Sequence, residues 1–360
     1  MMSFGSRLRV TIFGSSHGPE VGVEIDGIPE GRPIDTAAIQ RELDRRRPVG
    51  RRLATKRAEE DRLVVDRGVE DGRAHGPFRA HVANEDVRRE PYDRLRATPR
   101  PGHADYPARI RYGPDADLSG GGIFSGRMTV GLVIAGSIGR QLLAPLGIDL
   151  VGFTRSIGSI SAEVPEEMGL DEVRRLAALN EVACPVAESA RGMEEEIASA
   201  RREGDSVGGV VEVRISGVPV GLGEPFFDSI EGTIAHLVFS VPATKAIEFG
   251  AGFAAARMRG SQHNDPFAVR DGRIVTTSNH AGGILGGLAT GMPIIYRVAV
   301  KPTSSIARPQ RTVDLERGVE TEIAITGRHD PCIVPRAVVV IESVGAIALA
   351  DLALAGGYPR

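Results

Sequence analysis

The stretch SNHAGGILGGLATGMPIIYRVAVKPTSS, Ser278 to Ser305, joins a glycine-dense turn to a strand and then to a cationic hydroxyl cluster. Gly282, Gly283, Gly286, Gly287 and Gly291 carry no Cβ, so backbone there can come close to a flat or phosphorylated ligand, or to another backbone. The glycines alone read equally well both ways. The run IIYRVAV that follows is rich in β-branched residues, the mark of a buried strand. At its exit it delivers Lys301, Pro302, Thr303, Ser304 and Ser305, and a cation beside three hydroxyls suits a phosphate. That cluster tips the reading of the stretch towards binding.

Outward from this stretch, the chain repeats one order of elements. LRVTIFG predicts a strand that breaks at GSSHG, so His17 stands at a strand end, where loops commonly carry function. A single loop histidine is more often a surface residue, so His17 needs independent support. VGVEID predicts a second strand, Asp26-Gly27 and Pro29 a turn, and Asp35 the N-cap of a helix. From Arg62 to Val87, short apolar runs separated by Gly68, Gly72 and Gly76 predict strands and hairpins. TPRPGHADY holds Arg100, His103, Asp105 and Tyr106 in a stiff Pro/Gly loop, which makes His103 the stronger catalytic candidate. SGGGIFSGRMT leads through a glycine turn to Ser125 and Arg127 at the start of an apolar helix, a pattern suited to an anion. Residues 151–203 read as a strand and outer helices. A further strand and an amphipathic helix ending near Val241-Pro242-Ala243 come next, and GRHDPC sets Arg328, His329 and Asp330, with Arg336, ahead of a long apolar helix. Strand, strand, helix, then glycine loop and strand occurs in both halves, which predicts an internal duplication. No linker divides the chain, so residues 1–360 are expected to form a single domain.

Composition narrows the function. The chain has 360 residues, and its 45 glycines exceed the roughly 7% usual share. A net charge of −3 gives no global attraction to nucleic acid or membrane, so any anion site is local. Cys184 and Cys332 form neither a disulfide framework nor a metal-ligand pattern, and no metal is expected. No run is expected to reach the roughly 18 apolar residues of a membrane span, and MMSFGSRLRVTIFG lacks a secretory core, so a cytoplasmic protein is expected. Arg45, Arg46, Arg47, Arg51, Arg52, Lys56 and Arg57 form a basic block readable as a nucleic-acid patch, a solvated helix end or a small-anion pocket. The acidic run Glu59-Glu60-Asp61, the absence of Trp and only 4% aromatic residues weigh against nucleic acid, which needs stacking platforms. Arginine forks favour a carboxylate or phosphate pocket. Salt separates the readings, because binding to a phosphate backbone weakens steeply as salt rises.

The ordered set GSSHG, DRRRPVG, RPGHADY, SGGGIFSGRMT, GDSVGG, GVPVGLGEPFFD, SNHAGGILGG, KPTSS and GRHDPC resembles the chorismate synthase family. The likeness runs from about Arg7 to the final helix and thins around residues 154–200. It implies an α+β fold, a sandwich of helices between two antiparallel β-sheets with an internal repeat, assembled as a homotetramer. It implies anti-1,4-elimination of phosphate from 5-enolpyruvylshikimate 3-phosphate to give chorismate, with reduced FMN required and NADPH a possible reductant source. By the same resemblance His17, His103 and Asp330 are catalytic: His17 as a general acid near the flavin, His103 as proton donor to the leaving phosphate, and Asp330 as an aid to removal of the ring proton. Flavin contacts carry over onto Ile123, Phe124, Ser125, Pro242, Ala243, Gly286, Lys301, Pro302, Thr303, Ser304, Ser305 and Arg328. Arg46, Arg47, Arg52, Arg127 and Arg336 are the expected clamps for two carboxylates and a phosphate. The chain departs from the commonest family pattern at Ser15, Ile123 and Met128, where glutamate, arginine and glutamate are usual.

Overall fold

The computed structural model describes residues 2–47, 60–85, 97–113, 119–325 and 330–358. In the first half β1 (Ser3–Phe4), β2 (Arg9–Gly14), β3 (Glu20–Asp26), β4 (Val64–Glu70) and β5 (Arg73–Ala83) form an antiparallel sheet in the order β1-β2-β3-β5-β4. In the second half β6 (Asp149–Ile157), β7 (Ile160–Ser161), β8 (Gly209–Ser216) and β9 (Thr244–Phe249) are followed by two hairpins. These are β10 with β11 (Phe267–Arg270, Arg273–Thr276) and β12 with β13 (Ile284–Leu285, Leu288–Ala289). The strand read from IIYRVAV is β14 (Ile294–Val300), and β15 with β16 (Gln310–Asp314, Val319–Ile323) make a last hairpin. The second sheet runs β7-β6-β8-β14-β9 and is also antiparallel.

The helices in chain order are α1 (Thr36–Arg46), α2 (Asp105–Tyr112), α3 (Thr129–Leu143), α4 (Leu170–Ala177), α5 (Ala187–Arg202), α6 (Ile230–Val238), α7 (Gly260–His263) and α8 (Val334–Ala355). Of these, α3 packs on β3 and β2, α8 packs on β6 and β8, and the two pack on each other. The result is the expected sandwich of helices between two sheets. Its core is contiguous from Leu8 in the first sheet through Val133 and Ile347 in the helices to Val213 in the second sheet. The inward-facing alternation of β2 and β3, with Val10, Val21, Val23 and Ile25 buried, supplies one wall by the two-residue period of a strand. Helix α8 is long and apolar enough to cross a membrane, but nearly all of it is buried against protein. Its hydrophobicity is that of a central core helix, which corrects the expectation that no segment reaches span length.

Matching glycines mark the repeat. Gly27 ends β3 and Gly217 follows β8, both with left-handed backbone, φ 88° and 76°. A Cβ at Gly27 would stand 1.7 Å from the carbonyl oxygen of Arg7, and one at Gly217 would stand 2.0 Å from that of Gly147. Each half thus turns tightly over a carbonyl oxygen, in the related stretches VEIDGIPEG and VRISGVPVG. α1 starts where expected, with the Asp35 side chain accepting from the Ala38 N–H at 3.0 Å. It buries Ile39 and Leu43, four residues apart, and stops at Arg47, whose conformation the following proline restricts. Its last turn is anchored in the core. Arg45 and Arg140 meet the buried Glu342 carboxylate at 2.7 and 3.1 Å, and Glu342 accepts the Gly152 N–H at 2.6 Å. Burial alone would raise that carboxyl, but Arg45 and Arg140 hold it below its usual range.

Candidate active site

His17 sits on the turn after β2, and both it and Ser16 are buried. The Ser16 hydroxyl donates to the Ser119 carbonyl at 2.9 Å and lies 3.0 Å from His17 Nδ1. Because the single hydroxyl proton is committed to Ser119, Nδ1 is the donor in that pair. The ring rests on the glycine turn: Gly120 has φ 57°, and a Cβ there would stand 2.0 Å from His17 Cε1. The next residue, Gly121, would place a Cβ 3.5 Å from His103 Nε2. Two adjacent glycines therefore touch the two histidines that lie 86 positions apart in sequence. Gly120→Ala is expected to push His17 out of place, abolish turnover and cost about 1–2 kcal/mol through the left-handed backbone. An activity assay beside a thermal melt checks it, and an active, fully stable variant would remove the steric argument.

His103 is held by a short polar loop. Its Nδ1 lies 2.5 Å from Asp105 Oδ1 and 3.1 Å from Arg100 Nη2. Asp105 begins α2 and accepts from Arg100 N, Nε and Nη2 at 3.0, 2.7 and 2.8 Å. Burial alone would raise the Asp105 carboxyl, but hydrogen bonds from Arg100 and His103 hold it far below the usual carboxylate range. Arg100 Nη1 also donates to Ser305 Oγ at 3.1 Å, and Lys301 Nζ donates to Gly102 O at 2.7 Å. The KPTSS cluster is thereby docked on the histidine loop. Burial and the nearby Lys245 push the Lys301 ammonium pKa down, so an anion beside it would relieve an unfavourable charge.

The arginines are engaged with protein carboxylates. Arg46 Nη1 meets Asp61 Oδ2 at 3.0 Å, its Nε donates to Thr129 Oγ1 at 3.1 Å, and Arg127 Nη1 pairs with the other oxygen of Asp61. Arg127 also donates to Asn84 Oδ1 at 2.9 Å and to the Ala83 carbonyl at 3.1 Å. The sequence predicts an anion site at Ser125 and Arg127; the Arg127 guanidinium is buried and paired with Asp61, so an anion reaching it would compete with that carboxylate. Arg336 pairs with Asp330 Oδ2 at 2.6 Å and reaches the Arg46 carbonyl at 3.4 Å. Asp330 in turn accepts through its main-chain carbonyl from Thr303 Oγ1 at 3.0 Å. Arg46, Arg336, Asp330 and Thr303 thus form one connected chain of contacts. Arg47 lies at the outer end of α1, half-buried, and pairs with Asp44 at 3.2 Å. Arg52 and Arg328 lie outside the described residues.

The remaining flavin candidates divide. Ser125 caps the turn 126–128 by accepting from the Arg127 N–H, Ile123 is 39% exposed, and Phe124 sits 6.1 Å from the Tyr112 ring. Ala243, beside Pro242, accepts the Lys301 N–H at 2.9 Å and so is tied to the KPTSS loop. Gly286 turns the β12–β13 hairpin, with nothing within 4 Å of where its Cβ would stand. Its neighbours have no such room: a Cβ at Gly282 would stand 2.4 Å from Gly250 N, one at Gly283 2.5 Å from Pro293 O, and one at Gly287 2.6 Å from Glu224 O. Close packing, the alternative reading of the glycines in 278–291, accounts for these three, whereas the strand exit at 301–305 reaches the loop that carries His103, through Lys301 to Gly102 and Arg100 to Ser305. Sequence reasoning did not select Asp61, Asn84 or the Arg100–Asp105 pair. Of these only the last had a local signal, since it flanks His103 at −3 and +2. Both cysteines are free and buried, and burial pushes the Cys332 thiol up to about 12.

Comparison with known proteins identifies the family. The family model described as chorismate synthase matches residues 8–354. The chain is 50% identical over 349 residues to the chorismate synthase of Korarchaeum cryptofilum, covering 97% of this chain and 96% of that one. It is 49% identical over 351 residues to the chorismate synthase of Chloroflexus aggregans, covering 97% and 94%. A crystal structure of chorismate synthase superposes with a TM-score of 0.78 at 29% identity, across 98% of this chain and 93% of the other. With the family model matching nearly the whole chain, relatives about 50% identical over almost their full length and a matching fold, the chain belongs to the chorismate synthase family.

Proposed function

We propose that the chain converts 5-enolpyruvylshikimate 3-phosphate to chorismate by anti-1,4-elimination of phosphate, acting as one domain over residues 1–360. The observation that carries this reading is the convergence of His17 and His103 on Gly120 and Gly121, beside the loop 301–305. A trianionic substrate calls for cations, and Arg46, Arg127 and Arg336 gather around the same helix ends. Arg47 and Arg52 extend that set.

Reduced FMN fits the chain's residues. Lys301, with its destabilised ammonium, and the hydroxyls of Ser304 and Ser305 form a donor set for the phosphate tail, with Thr303 tying the same loop to the Asp330 carbonyl. Ser125, the exposed Ile123 and the half-buried Phe124 offer an edge for the ring. Pro242, Ala243, Gly286 and Arg328 complete the proposed contacts. When bound and reduced, the flavin supplies electron density that helps expel phosphate from a ring whose hydrogen is not acidic. The protein does the rest. His103 protonates the leaving phosphate through Nε2, His17 keeps a second acid at the same turn, and Asp330, fixed by Arg336, assists departure of the ring proton. NADPH as the source of reducing equivalents, a homotetrameric state and a cytoplasmic setting belong to the same proposal.

The test is anaerobic turnover of 5-enolpyruvylshikimate 3-phosphate with chemically reduced FMN, following phosphate and chorismate with and without flavin. Equal, flavin-dependent release of both products is expected. Tight FMN binding with no turnover would refute the substrate assignment. For the cofactor, Lys301→Ala should raise the FMN Kd by about 10–100-fold, the loss of one charged hydrogen bond of about 1.5–3 kcal/mol. An unchanged fluorescence titration would take Lys301 out of the flavin site.

A further inference from the structure

We propose that Asp105 is the positioning residue for His103: it keeps the ring's resident proton on Nδ1 and leaves Nε2 as the nitrogen that hands a proton to the leaving phosphate. The inference rests on the reading of His103 as proton donor and adds the group that makes that role directional. Two neighbours face Nδ1, Asp105 Oδ1 at 2.5 Å and Arg100 Nη2 at 3.1 Å. Were Nδ1 a bare lone pair, it would oppose a carboxylate oxygen at the shorter distance, so the proton lies between Nδ1 and Asp105. Asp105 cannot take that proton for itself, because Arg100 grips it through N, Nε and Nη2. The far edge of the ring, Nε2, faces Gly121 in the turn that also holds His17.

Proton accounting follows from this. The imidazolium gives its Nε2 proton to the bridging oxygen as the carbon–oxygen bond breaks and its electron pair goes to phosphate. The ring is left neutral with its proton on Nδ1, still donated to Asp105, which stays ionised throughout. At His103 itself no ring rotation is needed; the proton lost from the substrate ring is a separate transfer, assisted by Asp330, and the imidazole regains a proton at Nε2 before the next turnover.

Asp105→Asn tests this, because Arg100 N and Nε require an acceptor where Oδ2 stood. The amide oxygen is therefore drawn to Arg100, and the amide NH2 is turned towards Nδ1, which must then accept and drive the ring proton to Nε2. Ring 15N NMR, with His103 assigned by loss of its signals in His103→Gln, should report the Nδ1–H form in the neutral wild-type enzyme and the Nε2–H form in Asp105→Asn. The same variant should lose about 10²–10⁴-fold in kcat, the scale of a wrong-tautomer lesion in a histidine–carboxylate pair, with KM changed less than about threefold. An Nε2–H ring in the unmodified enzyme overturns the proposal even if the variant does not fold, and so does a variant that keeps Nδ1–H. A switched tautomer with kcat intact leaves Asp105 as the positioning group but overturns His103 as the proton donor.

Discussion

Replacing His103 with alanine is expected to lower kcat by about 10²–10⁴-fold, the span of general acid–base catalysis, and to leave the thermal midpoint within a few degrees of wild type. The asymmetry follows from what the side chain touches. Its polar contacts are to Asp105 and Arg100, and those two remain joined to each other by Nε and Nη2 hydrogen bonds at 2.7 and 2.8 Å once the imidazole is gone. The loop also stays docked through Arg100 to Ser305 and Lys301 to Gly102. The fold therefore loses little, whereas the reaction loses a proton source facing Gly121. Single-turnover phosphate release with reduced FMN measures the chemical step apart from product release. A variant that releases phosphate at the wild-type rate shows that the leaving group departs without help from this ring.

Reading from sequence worked where the cause of a structure is local. The Asp35 cap, the alternation in β2 and β3 and the strand of IIYRVAV each arise within a few residues of themselves, and each stands where expected. The repeat was legible from the shared order of strands, helix and glycine loop; the structure adds a turn glycine in each half, Gly27 and Gly217, where the backbone leaves no room for a Cβ. The glycines of 278–291 were ambiguous for the same reason, since a missing Cβ serves a passing strand and a ligand alike. What resolves them is Gly250, Pro293 and Glu224, which no local pattern names. The arginines show the other limit. Arg45, Arg46 and Arg47 are consecutive, yet helical geometry sends Arg45 to Glu342, Arg46 to Asp61 and Arg47 to Asp44. In the sequence Asp61 is only the last of an acidic run that weighs against nucleic acid, and its burial depends on Arg127, 66 positions later. Charge counts along a chain do not tell which charges will be desolvated together.

Asp61→Ala is expected to be the most destabilising single change in the site, by about 3–5 kcal/mol, because it strands two buried guanidinium groups. Asp61, Arg46 and Arg127 are 3%, 4% and 6% exposed, so solvent cannot replace the lost carboxylate. At the unfolding entropy typical of a chain of 360 residues, about 4 kcal/mol lowers the midpoint by roughly 5 °C. The pH dependence has a definite sign. Burial alone would raise the Asp61 carboxyl, but Arg46 and Arg127 outweigh it and hold the pKa below its ordinary value. A depressed carboxylate stabilises the fold above the unfolded-state pKa, about 3.9, and that contribution is lost as pH falls through the folded-state value. The gap between wild type and Asp61→Ala should therefore be full at neutral pH and shrink only below about pH 4. Adding Arg127→Met to Asp61→Ala should recover part of the stability, since one of the two stranded charges goes with it, and the coupling in that double-mutant cycle isolates the pair. Thermal melts of the three variants across pH decide the matter. Equal midpoints for wild type and Asp61→Ala would mean that Arg46 and Arg127 are held by something other than this carboxylate, and that the substrate's own anions need displace no partner to reach them.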